Sequence, residues 1–123
     1  MGKLSDLAIV PPESGEGTLS AEQIAELHAQ VPTWKIVERE GIRQLERAFE
    51  FSDFAGALSF TNEVGRLAEE LDHHPRITTE WGKVTVTWWT HKVGGLHRND
   101  FISAAKVDEI YVSEQLSGVS QVS

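Results

Sequence analysis

The chain contains no cysteine. Disulfides, thiolate metal sites and cysteine nucleophiles are excluded, and the composition suits a reducing compartment. Basic residues are few and scattered: 11 Lys and Arg stand against 19 Asp and Glu, a formal net charge of −8. A chain of that sign repels phosphate backbones, so direct nucleic-acid binding is not expected. No apolar run approaches the roughly 18–20 residues of a membrane span. Residues 1–14 hold no apolar stretch of the kind that marks a secretory signal. A cytoplasmic, soluble protein is expected. There is no GxSxG context for a nucleophilic serine and no glycine-rich phosphate loop, and Gly94-Gly95 alone is too weak a signal for one.

The 123 residues suffice for one domain with a modest core, and 40% hydrophobic with 24% charged residues is ordinary globular composition. Residues 1–17 read as a flexible tail, because Pro11-Pro12 blocks helix and the stretch to Gly17 has nothing to bury. Residues 18–116 read as a single domain. Residues 117–123 read as a C-terminal tail whose Ser-rich end frays.

Ser20 and Gln23 have capping-box spacing, and Leu19 and Ile24 stand at staple positions. The helix they open carries Ile24, Leu27, His28 and Val31 on one stripe, and Pro32 ends it. A hairpin follows: a short strand from Trp34, a turn at Arg39-Glu40-Gly41, and a strand from Ile42 to Phe51 with Leu45, Arg47, Phe49 and Phe51 on one face. Ser52 is the expected cap of a second helix of about 20 residues. Its apolar positions Phe54, Leu58, Val64, Leu67, Ala68 and Leu71 are spaced for one buried face, and Pro75 stops it. A second hairpin turns at Gly82. Its long strand, Lys83 to His91, alternates Val84, Val86, Trp88 and Thr90 against Lys83, Thr85, Thr87, Trp89 and His91. A last helix is expected from about Arg98 to Gln115. The order is α-β-β-α-β-β-α: an α+β domain with a four-stranded antiparallel sheet and three helices packed on one face. The other face stays open, and tryptophan there invites oligomerisation.

Four of the five histidines lie between residues 73 and 97. His73 and His74 end a helix and His91 ends a strand; such ends can converge at one rim of a sheet, where pockets form. Two converging imidazoles can act as acid and base near neutral pH. Glu69, Glu70, Asp72 or Asp100 could orient one by accepting its second N–H. A plainer reading stands beside this. Imidazolium at a helix C-terminus is favoured by the dipole by about 0.3–1 kcal/mol, and Asp100 could simply be an acid in the first turn of the last helix. His28 would then flank its helix's apolar stripe, His97 would be a surface loop residue, and the tryptophans core or interface. Three histidines could also hold zinc. Adjacent helical residues diverge by about 100°, however, so His73 and His74 chelate one ion poorly. No HExxH or HxH pattern occurs, and no metal is expected.

The run Glu69-Glu70-Leu71-Asp72-His73-His74-Pro75, followed by Trp81, His91 and Asp100, resembles the signature of the pterin-4a-carbinolamine dehydratases. Trp34, the Leu45/Arg47/Phe49/Phe51 strand, Phe54, Thr90-His91 and Gly95-Leu96 fall in the family's order, so the resemblance covers about residues 18–112. It implies the fold derived above and an enzyme that dehydrates a 4a-hydroxytetrahydropterin to the quinonoid dihydropterin, in pterin recycling linked to aromatic amino acid hydroxylation. It implies no metal or organic cofactor, and a homodimer or homotetramer. His73 and His91 match the acid/base histidines, His74 the third active-site histidine, and Glu69 and Asp100 the supporting acids. Asp72, Pro75, Trp81 and Thr90 are expected to line the substrate. Two positions depart from the pattern. His97 stands where the family often has a Ser or Thr helix cap, which favours a site role for Asp100 over a capping one. Asn99 stands where a basic residue is frequent. The resemblance also carries an alternative, a non-catalytic interaction protein: a transcriptional dimerisation cofactor or a RuBisCO-assembly chaperone. An intact histidine set favours the enzyme.

Overall fold

The computed structural model describes residues 3–13 and 15–122, the side chains of 117–122 excepted. The elements run α1 (Ala21–His28), β1 (Lys35–Arg39), β2 (Ile42–Glu50), α2 (Phe54–Leu71), β3 (Arg76–Glu80), β4 (Lys83–Trp88) and α3 (Arg98–Val122), with one-turn 3-10 helices at Leu4–Asp6 and His91–Val93. The four strands form one antiparallel sheet in the order β1-β2-β4-β3. The α+β fold expected from the pattern is the one observed.

Alternation positions the core. Leu45, Phe49, Val84, Val86 and Trp88 are buried between the sheet and the helices, against Ala57, Phe60, Val64 and Ala68 of α2 and Phe101, Ile102, Ala104 and Val107 of α3. Arg47 shares that inner face. Its guanidinium lies over Phe49 at 4.4 Å and pairs with Asp108 at 2.7 Å. Asp108 also accepts from the buried Trp34 indole N–H at 2.8 Å, while burial pushes its carboxyl above the ordinary value. On the outer face Arg39 bonds Gln44 and Glu46, and Thr87 donates to Glu46 at 2.8 Å.

Several boundaries differ from expectation for local reasons. The Ser20/Gln23 capping box forms, but α1 ends at His28, four residues before Pro32. Asp53, not Ser52, caps α2 by accepting from the Gly56 amide at 2.8 Å. Phe60 belongs to the buried stripe of α2, whereas Phe54 and Leu58 are 45% and 44% exposed. Asp72 terminates α2 before Pro75 can. It adopts φ 52°, and the amides of His73 and Asp72 bond back to Ala68 and Glu69 in a Schellman pattern. β4 stops at Trp88, and His91 opens a 3-10 turn closed by Gly94 at φ 71°. The backbone of α3 continues past Gln115 to Val122; Ser123 lies outside the described residues.

Residues 3–13, expected within a tail, lie along α3. Leu4 is buried, Lys106 Nζ donates to the Ser5 carbonyl, and Ser5 Oγ donates to Glu109. The Asn99 side chain clamps the Val10 backbone in both directions, accepting from its N–H at 3.1 Å and donating to its carbonyl at 2.6 Å.

Candidate active site

The antiparallel register brings one set of chain segments to one end of the sheet. Arg76 pairs with Thr87 and Leu45 with Trp88, so the α2–β3 connection (His73-His74-Pro75) and the exit from β4 (Trp89-Thr90-His91) lie together. The N-terminus of α3 joins them: Thr90 donates to Asp100 there, and Thr90 also bridges Gly95.

Asp100 is the hub. It is fully buried, and its carboxylate accepts three hydrogen bonds from three segments. His73 Nε2 approaches Oδ1 at 2.7 Å, and Thr90 Oγ1 and the His97 backbone N–H donate to Oδ2, each at 2.9 Å. A buried carboxylate is tolerated when its lone pairs are filled in this way. An ionised carboxylate only accepts, so Nε2 of His73 carries its proton toward Asp100, and the proton-free Nδ1 faces away from that carboxylate. The His73 ring also stacks on Trp88, with centroids 5.1 Å apart and planes at 26°. The imidazole is thus held at one nitrogen and on one face, with 14% of its side chain exposed.

His74 turns elsewhere. Its Nε2 meets Glu69 Oε2 at 2.6 Å, with both side chains largely solvent-exposed. His91 is exposed at the start of the 3-10 turn, its ring edge-on to Trp89 at 5.3 Å. Arg76, directly after Pro75, places its guanidinium 5.7 Å from the Trp89 ring. Beside the turn runs a cleft of about 390 Å³, lined in part by Glu38, Arg43, Gly94 and Gly95. Among the described residues, no three His, Asp or Glu side chains are grouped as metal ligands.

A model of the family described as pterin 4 alpha carbinolamine dehydratase matches residues 17–110. The chain belongs to this family. A provisionally named pterin-4-alpha-carbinolamine dehydratase of Microcystis aeruginosa is 51% identical over 111 residues, 90% of this chain and 96% of that one. A protein of the same provisional name from Nitrosococcus oceani is 59% identical over 92 residues, covering 75% of this chain and 81% of its own. Among solved structures, a transcriptional coactivator/pterin dehydratase from Brucella melitensis superposes with a TM-score of 0.70 at 30% identity, covering 77% of this chain and 99% of that one. A pterin dehydratase-like RuBisCO assembly factor of the alpha-carboxysome, 22% identical with a TM-score of 0.55 over 64% of this chain and 89% of that one, shares the fold.

The residues carried over from the dehydratase signature separate into three groups. His73, Thr90 and Asp100 form one hydrogen-bonded cluster, with His91 next to Thr90 in the chain. His74 and Glu69 form a surface pair at the same rim, and exposed Asp72 supplies the left-handed turn that ends α2 ahead of Pro75. Trp81 does not join them. It sits 73% exposed in the β3–β4 turn, at the opposite end of the sheet from His73, because β3 and β4 run from the rim to that turn and back.

Two participants escaped the sequence reading. Trp88 alternates with Val84 and Val86, but nothing local in the sequence signals that its ring underlies His73. His97 is only 7% exposed rather than a surface loop residue. Its Nδ1 accepts from the Asn99 amide at 3.0 Å while its own amide donates to Asp100. A histidine therefore caps α3 at the position where the family often has Ser or Thr. Asp100 is both the reciprocal partner of that cap and the partner of His73, so the two readings of this residue are compatible.

Proposed function

We propose that the chain dehydrates 4a-hydroxytetrahydropterins, with His73 and His91 as the acid/base pair. The observation that carries the reading is the His73–Asp100 hydrogen bond. It fixes ring orientation and tautomer, leaves Nδ1 directed away from the carboxylate, and stabilises the imidazolium that forms when Nδ1 takes a proton. In the reaction one imidazolium gives its proton to the 4a-hydroxyl, which departs as water. A neutral imidazole takes the proton from the adjacent ring nitrogen, and the freed electron pair closes a carbon–nitrogen double bond. The product is the quinonoid dihydropterin. Each proton transfer typically contributes about 10²–10⁴-fold. His74, held by Glu69, is assigned to binding the pterin at the rim. The cluster of family membership, curated relatives and an intact histidine set supports this assignment. An interaction role draws on the names of two solved neighbours, and no observation in this chain favours it.

The test is the dehydration rate of freshly generated 4a-hydroxytetrahydropterin, followed by ultraviolet absorbance. A wild-type rate well above the spontaneous one, lost in His73→Ala/His91→Ala with the fold intact, is expected. A wild-type rate equal to the spontaneous one would sink the reading.

A further inference from the structure

The two positions at which this chain departs from the family pattern, His97 and Asn99, both touch the N-terminal segment. Asn99 clamps Val10, and His97 Nε2 lies 3.0 Å from Glu16 Oε2. Because His97 Nδ1 accepts from the Asn99 amide, its ring proton resides on Nε2 and is donated to Glu16. Glu16 is itself held: its Oε1 accepts from the Glu13 amide at 2.9 Å, and that amide keeps its carboxyl below the ordinary value and so an acceptor. The path continues inward. The His97 backbone N–H donates to Asp100 Oδ2, and Asp100 Oδ1 receives His73 Nε2. Three hydrogen bonds therefore join the exposed Glu16 carboxylate to the imidazole assigned to proton transfer.

We propose that Glu16 and His97 are positioning residues: the N-terminal segment, docked along α3, locks the His97 cap and through it the orientation of Asp100 beneath His73. A serine cap would serve the helix equally well but could not reach the segment. Histidine adds a second, outward-facing donor, and that is the property a strap-linked cap requires. The anchors at Ser5 and Val10 tether the segment at two further points along the same helix. Freed of its link to Glu16, the His97 ring gains rotameric freedom. The cap then weakens, and the first turn of α3, which carries Asp100, loosens. Misplacement of a supporting group by about 1 Å can cost up to about 10²-fold in rate.

The inference rests on the dehydratase reading for its kinetic consequence but not for its structural one, and two measurements separate them. In protein labelled with 15N-histidine, the His73 Nε2–H resonance, assigned by its loss in His73→Ala, reports the bond to Asp100 directly. Glu16→Ala and His97→Ala are expected to move that resonance and to lower kcat by roughly 10-fold to 10²-fold with KM within about twofold. Glu16→Gln, whose amide oxygen still accepts from His97, restores both. A purely structural role would lower stability in Glu16→Ala while leaving resonance and kcat in place. That result overturns the proposal, as does a shifted resonance with unchanged kcat. If the wild type shows no dehydration at all, the functional reading falls alone, and the resonance in the four proteins still decides whether the strap positions Asp100.

Discussion

Asp100 receives hydrogen bonds from an imidazole, a hydroxyl and a backbone amide, and each donor makes a different demand on its replacement. Asparagine preserves the shape and can still accept from Thr90 and His97 through its oxygen. Its NH₂ group, however, then faces His73 Nε2, which must become an acceptor, and the ring proton moves to Nδ1. Asp100→Asn is therefore expected to lower kcat by roughly 10²–10⁴-fold while changing stability by less than Asp100→Ala does. Alanine strands two buried donors at about 1–3 kcal/mol each. Steady-state kinetics beside urea titrations of both variants check this. An asparagine variant of near wild-type kcat would remove Asp100 from the orienting role.

At the scale of elements, the end of α2 and the outer face of the sheet carry the informative contacts. Asp72 occupies the left-handed position that ends α2, where its charge also meets the negative end of the helix dipole. Asp72→Gly relieves both and is expected to raise stability by about 0.5–1 kcal/mol in thermal unfolding. A simultaneous rise in KM in the dehydratase assay would support the substrate-lining role proposed for Asp72. On the outer face Glu46 links Arg39 of β1, Thr87 of β4 and, at 3.9 Å, Arg76 of β3. The Arg39 guanidinium beside Glu46, opposed by burial and aided by Thr87, holds its carboxyl below the ordinary value of 4.5. A depressed carboxylate stabilises the fold in full above its unfolded value and loses that contribution as pH falls through the folded one. Glu46→Gln keeps the acceptor but cannot titrate. The stability gap between wild type and Glu46→Gln should be constant above pH 4.5 and shrink below it, measured by urea unfolding across a pH series.

Taken whole, the molecule leaves Phe54 and Leu58 of α2, Val112 and Leu116 of α3 and Trp81 of the β3–β4 turn exposed. Phe54 and Leu58 stand one turn apart on α2, as do Val112 and Leu116 on α3, and a homo-oligomer that covers these pairs is the proposed state. Light scattering at micromolar concentration should give a mass well above one 13.7 kDa chain, and a monomeric mass would refute this. The order of elements, the inward set Leu45, Phe49, Val84, Val86 and Trp88, and the cap at Ser20 were all legible in the chain. Periodicity and capping act within a few residues and leave a local trace. The histidine set was legible through its family resemblance. The partner of each histidine was not. His73 finds Asp100 27 residues on, whereas its neighbour His74 finds Glu69 five residues back, because the left-handed turn at Asp72 and the strand register aim the two rings apart. The docking of the N-terminal segment was hidden for the same reason. Its bonds to His97, Asn99 and Lys106 span 81 to 101 residues. Contacts of that range leave no periodic mark in the residues that make them, and they exist once α3 is folded and laid beside the sheet.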